Sequence, residues 1–149
     1  MTTADETIRQ LYIELRILED TVRLLRTRLN LLETSILDLR TSGSTLEAMK
    51  EIKPGHPALI PIGTSAYIKT KVSEVDRPLI NVGMGVFMEK NLEEATKSIG
   101  DRLSELEQGS LSIRQQLATA TERYEEASRK LSDLVREREE AVRRAEEGR

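Results

Sequence analysis

The stretch Pro57–Lys90, PALIPIGTSAYIKTKVSEVDRPLINVGMGVFMEK, decides how the rest of the chain is read. It holds three of the four prolines, the only phenylalanine and short runs of β-branched residues. Leu59 to Ile62 is apolar, Gly63-Thr64-Ser65 follows as a turn, and Ala66 to Val72 alternates in strand fashion. That pattern predicts a β-hairpin, with Pro61 placing its strand at an edge or a bulge. After the polar connection Ser73–Pro78, Leu79–Val82 and Val86–Met88 flank Gly83-Met84-Gly85, which predicts a second hairpin about a tight glycine turn. Isolated hairpins are marginal in water, and open strand edges are a liability unless another chain covers them. The expectation is therefore a sheet or barrel shared between subunits. The side chains available for that assembly are Leu59, Ile60, Ile62, Tyr67, Ile68, Val72, Leu79, Ile80, Val82, Val86, Phe87 and Met88.

Outward from this island, both flanks carry helical periodicity. On the N-terminal side, Thr3 and Glu6 form a capping-box pattern. Ile8, Leu11, Leu15, Leu18, Val22, Leu25, Leu29, Leu32, Ile36 and Leu39 then follow in alternating steps of three and four. A heptad repeat sustained over about four heptads predicts a coiled coil. With Ile8 at position a, every d position from Leu11 to Leu46 is leucine. Gly43 falls on an a position at a cost of about 1 kcal/mol relative to Ala, yet the phase continues to Leu46, so a continuous helix is expected. The helix is expected over 3–52, ending before Lys53-Pro54-Gly55. A second apolar set, Ile13, Ile17, Leu24 and Leu31, lies off the seam; it is either scattered surface or a second contact face.

On the C-terminal side, Asn91 is a good N-cap for a helix over 91–147, with Glu93 and Glu94 in its first turn. Its seam runs Leu92, Ala95, Ile99, Leu103, Leu106, Ser110, Ile113, Leu117, Ala120, Tyr124, Ala127, Leu131, Leu134, Arg138 and Ala141. Acid-to-base pairs at i,i+4, such as Glu139–Arg143 and Glu140–Arg144, support its exposed face. Antiparallel pairing across the island sets Leu46 near Ala95 and Ile8 near Asp133, so large residues meet small ones. The same register leaves the segment from Glu139 onward beyond the N-terminal end, with the far end expected to be thin, frayed and partly open.

Composition agrees with this reading. Charged residues are 33% and aromatics 3%, with no tryptophan and a net charge of −3 from interleaved acids and bases. Such a chain builds long solvated helices rather than one compact core, and it has no single-sign field to attract nucleic acid or anionic lipid. Cysteine is absent, which excludes disulfides and thiolate metal sites. The opening MTTADETIRQ does not read as a signal peptide, and no apolar run reaches the roughly 20 residues of a membrane span. A cytoplasmic protein is the default expectation. The fold class is thus mainly α with a small β insert: one subunit over 1–149, a long antiparallel coiled-coil hairpin joined by two β-hairpins at 57–90 that form an intersubunit β-barrel.

Leu59-Ile60-Pro61-Ile62-Gly63, and Val82-Gly83-Met84-Gly85-Val86-Phe87-Met88-Glu89-Lys90 leading into Asn91-Leu92-Glu93-Glu94-Ala95, resemble the central segment of the prefoldin α subunits. The resemblance extends over essentially the whole chain. Two hairpins match the α class, the β class having one, and the short chain is similar to archaeal members. The resemblance implies an ATP-independent holding chaperone of two α and four β subunits (α2β4), with no cofactor, that binds non-native proteins and passes them to a group II chaperonin. It places assembly in the island and client binding at the coil tips, here Ile8, Leu11, Tyr12 and Leu15 from one helix and Leu131, Leu134, Val135 and Val142 from the other. Small or charged seam partners would leave those aliphatics partly uncovered. The off-seam set Ile13, Ile17, Leu24 and Leu31 is a second candidate client face.

Other signals point elsewhere only weakly. His56 stands alone between Gly55 and Pro57, and Gly83-Met84-Gly85 lacks the Lys-Ser/Thr of a phosphate loop. Arg136, Arg138, Arg143 and Arg144 alternate with glutamates, which argues against a nucleic-acid arm. No paired carboxylates suggest a pocket, so no enzyme is expected. The alternative to a chaperone subunit is a structural coiled-coil scaffold that binds no client.

Overall fold

The structure, a computed structural model, describes residues 3–148. Six elements follow one another: α1 (Thr3–Met49), β1 (Pro57–Pro61), β2 (Tyr67–Lys71), β3 (Leu79–Gly83), β4 (Val86–Glu89) and α2 (Leu92–Glu147). The Thr3–Glu6 capping box rests on the Thr3 side chain, which lies outside the described residues. α1 is unbroken through Gly43, as the continuing heptad phase implies. It stops at Met49, three residues short of 52. Its last turn tightens there: Lys50, Glu51 and Ile52 donate backbone N–H groups to the carbonyls of Glu47, Ala48 and Met49 at 3.1–3.3 Å, three residues back instead of four. Pro54 then bars a return to helical geometry. α2 begins as expected, with Asn91 Oδ1 accepting from the Glu94 N–H at 2.8 Å.

The chain divides into two compact units. One comprises α1 through Glu33 and α2 from Gly109 onward. Within it the helices run antiparallel, since Glu33 pairs with Arg114 at 2.5 Å, Glu14 with Arg123 at 3.3 Å and Asp5 with Arg138 at 3.2 Å. The first two pairs are largely exposed and Asp5 of the third is partly buried; such surface pairs contribute about 0–1 kcal/mol each, so they report register more than stability. The seam supplies the stability. Ile8 and Leu11 are buried with Ala127 and Leu131, and Leu15, Leu134 and Val135 pack against that cluster. Leu18, Leu25 and Ala120 are also buried, as is Ser110, a polar seam position. Past Arg138, residues 139–148 are all exposed. In that segment Glu140 pairs with Arg144 at 3.2 Å, while Arg143 pairs with Glu147 at 3.1 Å.

The second unit, Thr34–Gln108, holds the island and the helix segments that flank it. Arg40 and Glu107 pair at 2.6 Å. Leu46, Ala95 and Ile99 form its core, with Leu39, Met49 and Leu92 against them. The expected juxtaposition of Leu46 and Ala95 is therefore present, and Ala95 is fully buried. The four strands make two separate antiparallel two-stranded sheets, β1–β2 and β3–β4. The Gly83–Gly85 turn has positive φ at three successive residues, 120°, 50° and 76°, including Met84. This suits a primed hairpin turn, which requires positive φ at its central residues. Asn81 Oδ1 braces it by accepting from the Gly83 N–H at 2.8 Å, beside a bulge between Asn81 and Gly83.

Candidate functional site

Among the described residues, the exposed large apolar side chains lie mainly on α1 and on the hairpins. On α1, heptad spacing fixes which side chains meet α2 and which do not. Ile17, Leu24 and Leu31 share one heptad position, and with Ile13 they lie away from the seam. Ile17 is 60% exposed, Leu24 52% and Leu31 66%. Ile13 and Ile17 border a groove of about 500 Å³ whose other walls are Leu18, Thr21, Thr119 and Ala120, with the Glu14–Arg123 pair at one side. Ala120 gives the groove its depth, because a larger residue there would fill it. Monomeric proteins rarely leave contiguous apolar surface of this kind without a use.

The tip residues are placed differently from the expectation of an open, frayed end. Ile8, Leu11 and Leu131 are 7–9% exposed, and Leu15, Leu134 and Val135 are partly buried. Only Tyr12 and Val142 of that set stand exposed. The reason is steric. Ala127 opposite Ile8 and Leu11 lets the helices close up, so a small partner covers large aliphatics by proximity instead of leaving them bare. What does extend past the paired seam is α2 alone, where Val142 joins Val135 beside Arg138 and Arg143 in a shallow polar-rimmed surface.

On the hairpins, nearly every apolar side chain is exposed. Leu59, Ile60, Ile62, Tyr67, Ile68, Leu79, Val82, Val86, Phe87 and Met88 are all more than two-fifths accessible, and Val72 is half-buried. Ile80 departs from the set: it is 8% exposed and packs on Leu46, Ala95 and Ile99. It anchors its hairpin to the helices of the same chain and is not free for assembly. Val75, in the polar connection, is buried as well, which the alternation of its neighbours gave no reason to expect. Phe87 borders a second groove of about 440 Å³ with Leu39, Leu46, Leu79, Ile99 and Arg102. His56 is exposed, and no group of three metal-ligating side chains occurs among the described residues. No helix of the described residues is long and apolar enough to cross a membrane.

With this arrangement in view, similarity to known proteins is informative. A family model described as "Prefoldin subunit" matches residues 18–137. Prefoldin subunit alpha of Methanopyrus kandleri is 32% identical over 73 residues, 49% of this chain and 46% of that protein. Prefoldin subunit alpha 2 of Methanocaldococcus jannaschii is 31% identical over 94 residues, 63% of this chain and 59% of that one. The chain thus spans about half the length of the curated relatives it matches. Among solved structures, the cryo-EM structure of filamentous PFD from M. jannaschii superposes with a TM-score of 0.62 at 30% identity, covering 83% of this chain and 97% of that one.

Proposed function

This chain belongs to the prefoldin family, as an α-type subunit, and from that premise we propose that it works as an ATP-independent holding chaperone for non-native polypeptides. The observation that carries this reading is the exposed row Ile13, Ile17, Leu24 and Leu31 on the outer face of α1. An unfolded polypeptide offers apolar segments in no fixed order, and a row of aliphatics at heptad spacing can meet them without a shaped pocket. Each contact is weak, and several subunits acting on one client raise avidity while leaving release fast. Tyr12 and Val142 add apolar contact near the ends of the helices, whereas Ile8, Leu11 and Leu131 serve the seam. The hairpins are the assembly surface, and β-type prefoldin subunits in an α2β4 hexamer are the partners proposed for it. Delivery to a group II chaperonin in the cytoplasm completes the reading.

Co-expression with a β-type subunit, native mass measurement and aggregation of a chemically denatured client without nucleotide test this function together. A mixed oligomer that suppresses client aggregation is the expected result. A chain that stays unassembled, or an oligomer that leaves aggregation unchanged, overturns it. One observation favours a second reading, a scaffold built from copies of this chain: a solved structure that superposes on it is of a filamentous PFD. Large assemblies formed by the chain alone and inert towards denatured client would establish that alternative.

A further inference from the structure

The exposed row on α1 carries charge beside its apolar surface, and that charge is not balanced. On a helix, a side chain neighbours those three and four residues away. Ile13 therefore lies beside Arg9 and Arg16, Ile17 beside Glu14 and Asp20, and Leu24 beside Asp20 and Arg28. Arg28 is also a neighbour of Leu31. The charged residues of α1 that border the row are thus two acids, Glu14 and Asp20, and three bases, Arg9, Arg16 and Arg28.

Both acids are taken up within the chain. Glu14 pairs with Arg123 of α2 at 3.3 Å, and Asp20 with Arg23 at 3.8 Å. Arg9, Arg16 and Arg28 are exposed, and none of them has an ion pair or a side-chain hydrogen bond among the described residues. The threonines of this face compete for nothing outside: Thr21 and Thr27 donate their hydroxyl protons to the Ile17 and Arg23 carbonyls of their own helix, at 2.8 and 3.1 Å. The groove beside Ile13 and Ile17 has the Glu14–Arg123 pair as its charged wall. The row thus presents aliphatic side chains with unspent guanidinium groups beside them, on a chain whose net charge is −3.

We propose that this row prefers non-native segments whose aliphatic residues stand next to Asp or Glu over segments of equal apolarity flanked by Lys or Arg. This rests on the reading of the row as the client surface and adds a substrate class to it. Guanidinium groups suit such a choice, because they stay charged at any working pH and take a carboxylate through two parallel hydrogen bonds. A basic segment gains nothing in return: the acids it would need are already paired, and it meets three like charges. Each of these contacts is exposed, hence weak and screened by salt, so the preference comes from several of them acting on one segment. Selection by sign then sorts clients while the apolar contacts do the holding.

Three disordered peptides with one Leu and Ile pattern, flanked by Glu, Gln or Lys, test this against the full chain by fluorescence anisotropy. At low ionic strength the Glu peptide is expected to bind about five- to tenfold more tightly than the Lys peptide, with the Gln peptide between them; the ratio should fall towards one in about 0.5 M salt. Arg16→Gln with Arg28→Gln should lower the Glu-to-Lys ratio several-fold, and Arg16→Lys with Arg28→Lys should keep most of it. Arg26→Gln is the control, since Arg26 is exposed but neighbours Val22, Arg23, Leu29 and Asn30 instead of the row, and the ratio should not change. Circular dichroism checks that each variant keeps its helices. Equal binding of the three peptides, or a ratio that Arg26→Gln lowers as much as the Arg16/Arg28 pair does, overturns the preference. If Ile17→Glu with Leu24→Glu still weakens binding of the Gln peptide in that case, the holding function stands without charge selection. If the Gln peptide binds that variant as well as it binds the wild type, the row is not the client surface and both readings fall.

Discussion

Gly43 stands at a seam position of α1, where a Cβ would meet Ile99 Cγ2 at 3.7 Å, an ordinary contact. The backbone there is helical, so no left-handed geometry requires glycine. Gly43→Ala is expected to raise the unfolding free energy by about 1 kcal/mol through helix propensity. The check is a shift of the urea midpoint at unchanged slope and fixed protein concentration, since assembly contributes to apparent stability. Met84 is the reverse case. It is fully exposed and holds φ at 50°, a region that asparagine or glycine occupies more easily than methionine. Met84→Asn, keeping Gly85 after it, should stabilise the hairpin by about 1 kcal/mol. A destabilised variant would instead assign the Met84 side chain a contact with another subunit.

At the scale of elements, the sequence was most legible where a period repeats. Every residue of the first-helix seam, Ile8 through Leu46, is buried or half-buried, because 3.5-residue spacing leaves only one face for the partner. The register followed from the same logic, with Ala95 and Ala127 opposite large aliphatics. Single strands carry less information. Alternation in Leu79–Val82 separates two faces but does not say which one a helix covers, so Ile80 was grouped with its exposed neighbours. Its burial depends on Leu46 and Ile99, residues remote in sequence. Ile80→Ala is therefore expected to cost about 2–4 kcal/mol in the chain alone, and Leu79→Ala less than about 0.5 kcal/mol. Chemical denaturation of both variants at a concentration below assembly decides between anchor and interface: equal costs would mean that Ile80 is not the intrachain anchor.

At the scale of the molecule, the proposed holding function needs an apolar surface to meet a client. Counting large against small seam residues suggested an open tip, because side-chain size is visible in a sequence whereas the approach of two backbones is not. The helices close on Ala127, and on α1 the uncovered aliphatics Ile13, Ile17, Leu24 and Leu31 lie off the seam. Two sets of substitutions separate these alternatives. Ile8→Ala with Leu131→Ala empties the seam and is expected to lower stability by about 4 kcal/mol or more before it alters capture. Ile17→Glu with Leu24→Glu changes only exposed positions, so thermal unfolding and oligomer mass should be nearly unchanged. Light scattering of a denatured client should then show several-fold weaker suppression of aggregation by the Ile17/Leu24 double variant at equal oligomer concentration. Charged side chains on that face remove the apolar contact and leave the fold alone, so undiminished suppression would exclude the outer face of α1 as the client surface.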